Sequence, residues 1–144
     1  MTKRSLARET ALQLLFQVDL NPAVSREDII AHARQHLQLG EEEVPTFTLS
    51  LYDGTRRHQP AIDEILARAA ENWSLHRLEV IDRNILRLAT YELLHTPDTP
   101  AAVVFNEAIE LARRFGSAES PAFVNGVLDR VRREAASATP EAST

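Results

Sequence analysis

No cysteine occurs in this chain of 144 residues. That excludes thiol nucleophiles, CxxC zinc sites and a disulfide framework. Long apolar runs are missing too, since no segment approaches the ~20 apolar residues that a membrane-spanning helix requires. The basic N-terminus, MTKRSLARETALQLLFQ, interrupts its apolar stretch with Glu9 and Gln13 and so lacks the core of a secretion signal. Without such a signal, the sequon-like Asn72-Trp73-Ser74 reads as chance. Glycine is scarce, at four residues, and forms no phosphate-cradling loop; GxSxG and HExxH are also absent. Positive charge is in deficit, with sixteen Lys and Arg against twenty-one Asp and Glu and a net charge of −5. Taken as a total, that balance argues against a nucleic-acid binder. The expectation at this point is a cytoplasmic protein with no membrane segment, no catalytic activity and no cofactor. Its length suits one domain of ~100–200 residues, large enough to build a core without a metal or disulfide staple.

The charge is unevenly spread. Residues 1–18 carry Lys3, Arg4 and Arg8 against Glu9, a local +2, whereas residues 19–64 hold four arginines against nine acids, a local −5. Residues 65–144 hold nine arginines against eleven acids, a local −2. Ala, Leu, Glu and Arg are abundant, strand-like alternation is rare, and helix punctuation recurs along the chain. The spacing predicts a first helix over residues 5–20, ending before Asn21-Pro22. A second is opened by the capping-box-like Ser25-x-x-Asp28 and closed by Gly40. Pro45 suits the first turn of a third, reaching Gly54 or Arg57, and Pro60 opens a fourth through Asn72. A fifth covers residues 75–95 and stops at Thr96-Pro97-Asp98. Thr99-Pro100 reads as an N-cap followed by proline at the first helical position of a sixth helix, closed by Phe115-Gly116. Ser120-Pro121 repeats that start for a seventh, ending near Glu134. The small, polar tail over residues 136–144 is expected to be disordered.

The fifth helix is apolar over most of its circumference. Leu78, Ile81, Ile85 and Leu88 line one face, Leu86, Ala89 and Leu93 extend it, and only Glu79, Arg83 and Arg87 make a polar stripe. Such a helix is surrounded by others. The sixth buries Val104, Ala108, Leu111, Ala112 and Phe115, and the seventh Val124, Val127, Leu128 and Val131. The predicted fold class is an all-α bundle of about seven helices.

Catalytic and metal readings find little support. Asp28, His32 and His36 share one stripe of the second helix, and two histidines at i, i+4 suit zinc. No further strong ligand accompanies them, so a solvated face accounts for the pattern and no metal is expected. Glu107 and Glu110 read as the wet side of an amphipathic helix. Lys3, Arg4 and Arg8 suit phosphate contacts from a helix start, although three charges alone give weak, salt-sensitive binding; a solubilising terminus with Arg8 in an ion pair is the bland alternative. Helix starts receive anions, yet Glu119 at the seventh opposes a phosphate. Phe123 is either core, which periodicity favours, or a base-stacking platform. Gly126 in mid-helix costs about 1 kcal/mol relative to Ala, a cost easiest to accept where another helix or a ligand approaches closely.

Several blocks in order resemble the NusB family of transcription antitermination factors. They are Arg4-x3-Arg8-Glu9-x-Ala11-Leu12-Gln13, Asn72-Trp73-x2-His76-Arg77-Leu78 and Asp82-Arg83-x-Ile85-Leu86-Arg87-Leu88-Ala89-x-Tyr91-Glu92-Leu93, then Asn106-Glu107-Ala108-Ile109-Glu110-Leu111-Ala112 with Phe115-Gly116, and Phe123-Val124-Asn125-Gly126-Val127-Leu128-Asp129. The resemblance spans residues 4 to about 131. It implies a NusB-like RNA-binding domain over 1–135, with helical subdomains of about 1–58 and 59–135. It also implies a non-enzymatic role: binding boxA RNA together with NusE, a small-subunit ribosomal protein, in the RNA polymerase antitermination complex, with read-through of ribosomal RNA operons as the outcome.

By the same resemblance, Lys3, Arg4, Arg8, Glu119, Ser120 and Phe123 are expected on the RNA side, and Asp82 and Arg83 on the NusE side. Asn106, Glu107, Asn125 and Asp129 are expected to pair between helices. The chain also departs from the family pattern. Its arm carries fewer basic residues than Arg-rich members, which implies weak RNA binding without NusE. Phe105 replaces a branched aliphatic residue and implies a repacked core. Asp53-Gly54-Thr55 stands where apolar helix is usual and leaves the end of the third helix open. Two competing expectations are a protein–protein adaptor or self-associating homodimer that never touches RNA, and the RNA-binding domain found ahead of ribosomal-RNA cytosine methyltransferases, for which 144 residues leave no room for a catalytic domain.

Overall fold

The computed structural model describes residues 2–36, 43–70 and 78–138, and the chain divides into two compact units, Met1–Arg57 and His58–Thr144. Seven helices and no strand occur among the described residues, in line with the all-α reading. In the first unit, Thr2 caps α1 (Lys3–Leu20), its hydroxyl accepting from the Ser5 backbone N–H at 2.9 Å. That cap starts the helix two residues ahead of the predicted Ser5. α1 buries Ala7, Ala11, Leu12, Leu14, Leu15 and Val18, and it packs on α2 (Arg26–His36) and α3 (Glu43–Arg57).

The predicted start of α2 is observed, with Ser25 Oγ accepting from the Asp28 N–H at 3.0 Å. Its predicted stop at Gly40 lies outside the described residues. α3 runs unbroken through Asp53-Gly54-Thr55 to Arg57. The two polar residues there are satisfied without leaving the helix: Asp53 accepts two bonds from Arg26 at the start of α2, at 3.1 and 2.6 Å, and the buried Thr55 hydroxyl donates to the Leu51 carbonyl at 2.7 Å.

The second unit holds α4 (Gln59–Ala69), α5 (Val80–His95), α6 (Ala101–Phe115) and α7 (Ser120–Ala138). α5 packs against each of the other three. It buries Ile85, Leu86, Leu88 and Ala89, and with them the polar Asp82, Asn84, Arg87, Thr90 and Glu92. The expected polar stripe is therefore not all wet. Arg87 is buried and makes a bidentate pair with Asp63 of α4, at 2.8 and 2.9 Å, while also donating to Asn84 Oδ1 at 3.2 Å. Pro60 sits in the first turn of α4, and α7 buries Val124, Val127, Leu128 and Val131, both as predicted.

Other boundaries differ for local reasons. Glu79, extended at φ −62° and ψ 145°, is the N-cap of α5, so the helix begins at Val80 instead of residue 75; residues 71–77, including the Asn72-Trp73 block, lie outside the described residues. Pro100 is itself the cap of α6. Its ψ of 142° keeps it out of the helix while its carbonyl accepts from Val103 and Val104. Phe115 is not part of the buried stripe of α6: as the last helical residue it is 38% exposed, with the Arg114 guanidinium 4.9 Å above its ring. Phe105 is half-buried under Arg132 of α7, 5.9 Å from its ring centre. Asp129 pairs with Arg133 on its own helix at 2.6 Å, and Asn106 and Asn125 are exposed. α7 continues past Glu134 to Ala138, and residues 139–144 lie outside the described residues.

The Arg87–Asp63 pair generates a stability prediction. Asp63→Asn removes the bidentate acceptor of a buried guanidinium, and because Asp63 is itself partly exposed and Arg87 keeps its bond to Asn84, the expected cost is about 1–3 kcal/mol, below that of a fully buried pair. Urea denaturation of Asp63→Asn is expected to show a loss of that order; a loss near zero would contradict a structural role for the pair.

Candidate nucleic-acid interface

The first group of sequence-predicted residues lies at the start of α1. Lys3 and Arg4 are exposed, and no acidic residue stands in that first turn. Arg8, one turn later, is only 3% exposed. The two arginines are gathered by a residue absent from the sequence candidates. Phe47 of α3 has the Arg4 guanidinium carbon 4.2 Å from its ring centre and that of Arg8 at 5.7 Å. A cation within about 6 Å of an aromatic centroid is attracted to the ring face. Phe47 is half-buried and packs with Leu6 against the fully buried Ala7. Its side of α3 is set by the packing of α1 on α3, and in the sequence it is one more apolar residue of an amphipathic helix.

The second group surrounds the turn from α6 into α7. Gly116 closes α6 with its N–H bonded to the Ala112 carbonyl at 2.9 Å. A Cβ there would lie 2.6 Å from Ser120 Cβ and 2.9 Å from the Ala112 oxygen, so the close approach of Ser120 demands glycine. Ser120 is 1% exposed. Its Oγ accepts from the Ser117 N–H at 2.9 Å and its hydroxyl donates to the Asp82 carboxyl. Ser117 in turn donates from its hydroxyl to Glu119 Oε1 at 3.3 Å. Glu119 stays exposed and Phe123, one helical turn on, is half-buried. Among the described residues nothing comes within 4 Å of where a Cβ of Gly126 would sit, so close packing by a described helix is not the reason for it.

Asp82 and Ser120, placed by the sequence on different faces, thus meet in one hydrogen bond. Asp82 lies in the first turn of α5 and is 8% exposed. Burial raises its pKa, with the Glu79 charge adding and the Ser120 hydroxyl opposing. Among the described residues its Oδ1 finds no donor. Arg83 beside it is half-buried. Within their units, then, the structure gathers Arg4 with Arg8 and joins Asp82 to Ser120; Lys3, Arg4 and Glu119 are the exposed charges of the candidate set.

A folded pKa above the unfolded value near 3.8 means that ionised Asp82 opposes folding. The penalty is absent below that value, grows as pH rises through it, and is complete once the raised folded pKa is passed. Asp82→Asn, which keeps an acceptor for Ser120, is expected to raise Tm at pH 7 and to leave it nearly unchanged at pH 3.5. A Tm difference that does not depend on pH would contradict the burial of an ionisable carboxyl here.

Comparison with known proteins places these features in a family. The NusB family model matches residues 5–133. The transcription antitermination protein NusB of Desulfitobacterium hafniense (strain DSM 10664 / DCB-2) is 46% identical over 129 residues, 89% of this chain and 86% of its own. That of Bacillus subtilis (strain 168) is 43% identical over 132 residues, 92% of this chain and 96% of its own. Among solved structures, T. maritima NusB superposes with a TM-score of 0.84 at 38% identity, covering 93% of both chains. A structure of the antitermination factors NusB and NusE in complex with dsRNA gives 0.80 at 26% identity, over 93% of this chain and 98% of that one. The family match, the identity to these relatives and the superposition of the fold agree, and the chain belongs to the NusB family.

Proposed function

We propose that this protein is an antitermination subunit that binds boxA RNA jointly with NusE and promotes read-through by RNA polymerase, notably on ribosomal RNA operons. The observation that carries this reading is the likeness over almost the whole chain to a NusB solved together with NusE and RNA. Exposed Lys3 and Arg4 supply phosphate contacts at the start of α1, and Arg8 adds charge from a buried position. Phe123 offers a ring to an unstacked base. Glu119 repels phosphate but is suited to accept a hydrogen bond from a base amino group, which makes it a reader of bases and not of backbone. Ser120 and Asp82 act from the interior, holding the turn that presents Glu119 and Phe123. Arg83 is the remaining candidate for the NusE contact. A local charge of +2 is too small to hold RNA tightly, and sharing the strand with NusE supplies the remainder.

Titration of a labelled single-stranded boxA RNA into the protein, with and without NusE, tests this directly. Retardation is expected to be weak alone and strong with NusE, and a duplex of the same sequence should compete poorly. Lys3→Ala with Arg4→Ala should weaken the ternary complex and flatten its log–log salt slope by about 1.4, the contribution of two single-strand phosphate contacts. Unchanged affinity and slope would discard the arm as an RNA contact. No retardation even with NusE would favour a protein–protein adaptor.

A further inference from the structure

Cations at a helix N-terminus face the positive end of the helix dipole. α1 nevertheless carries Lys3 and Arg4 in its first turn, Arg8 one turn later, and no acid in that turn. Residues four apart on a helix are neighbours, and like charges at that spacing repel. Both terms oppose the arrangement, and attractive contacts offset them. Phe47 is what the two guanidinium groups share, with Arg4 at 4.2 Å from the ring centre and Arg8 at 5.7 Å. The ring itself is anchored by packing against Ala7.

Stacking uses one face of a guanidinium. A guanidinium held over a ring keeps in-plane N–H donors that suit the oxygens of a phosphate. Arg4 is exposed and Arg8 is buried, so one group reaches solvent while the other contributes charge from beneath. From this geometry we infer that Phe47 is a positioning residue for RNA: it holds the exposed Arg4 ready for a single backbone phosphate, with Arg8 adding charge from beneath. The inference rests on the proposed RNA reading and adds to it the residue that organises the arm and the RNA group that the arm receives.

Binding of labelled single-stranded boxA RNA in the presence of NusE, measured across a salt series for wild type, Phe47→Leu, Phe47→Tyr, Arg4→Ala and the Arg4→Ala/Phe47→Leu double variant, tests it. Phe47→Leu keeps an apolar side chain against Ala7 and removes the π face. It is expected to weaken binding roughly three- to tenfold and to make the log–log salt slope shallower by about 0.7, the share of one single-strand phosphate. Phe47→Tyr should restore both, and Phe47→Leu should cost nothing more once Arg4 is Ala. In the free protein the Arg4 Cδ protons should be shifted upfield by the ring and lose that shift in Phe47→Leu. Wild-type affinity and slope in Phe47→Leu, or full additivity with Arg4→Ala, overturns the inference. If Arg4→Ala weakens binding while Phe47→Leu does not, the inference falls and the RNA reading stands; if the wild-type complex retains no RNA, both fall.

Discussion

The bidentate ion pair between Arg87 of α5 and Asp63 of α4 is the constraint on which the second unit depends. It fixes the rotation of a helix that other helices enclose. Asp82 lies five residues earlier on α5, which at 3.6 residues per turn places it about 140° around the cylinder from Arg87. With Arg87 turned to α4, Asp82 is turned to the start of α7 and meets Ser120. Ser120 then fills the space that Gly116 leaves and accepts the Ser117 N–H. The turn presenting Glu119 and Phe123 is thus tied through Asp82 to a helix whose rotation is set on its opposite side. Buried polar groups here specify orientation; replacing such a pair by apolar residues of similar volume is often neutral or stabilising.

The first unit solves a different electrostatic problem. Its basic residues crowd a helix start, where the dipole is adverse. Thr2 satisfies a free donor there, and the face of Phe47 gives the two arginines an attractive surface. A total charge of −5 therefore says little about nucleic-acid binding. Acids concentrated between residues 19 and 64 dominate the sum, while the exposed cations of α1 act over a distance limited by a Debye length of about 8–10 Å.

Features governed by local chemistry were legible in the sequence. Ser25-x-x-Asp28, Pro60 and Phe115-Gly116 mark helix ends through caps and backbone restrictions that act over four or five residues. The apolar stripe of α7 was legible for the same reason. What failed depended on contacts between helices. Arg87 looks like the third member of a wet stripe until Asp63 is opposite it, and Asp82 and Ser120 look like separate surface residues until α5 and α7 pack. Phe47 could not be selected at all, because its role exists only where α1 lies across α3. Phe115 shows the converse error: periodicity extends an apolar stripe to the last residue of a helix, where the ring is exposed beside Arg114.

The most direct measurement of the central claim is a residue-resolved NMR map of the protein–NusE complex as single-stranded boxA RNA is added. Shifts concentrated at Lys3, Arg4, Phe47, Glu119 and Phe123, with only small changes at Asp63 and Arg87, are the expected pattern. Shifts that leave the start of α1 and the α6–α7 turn untouched would contradict it.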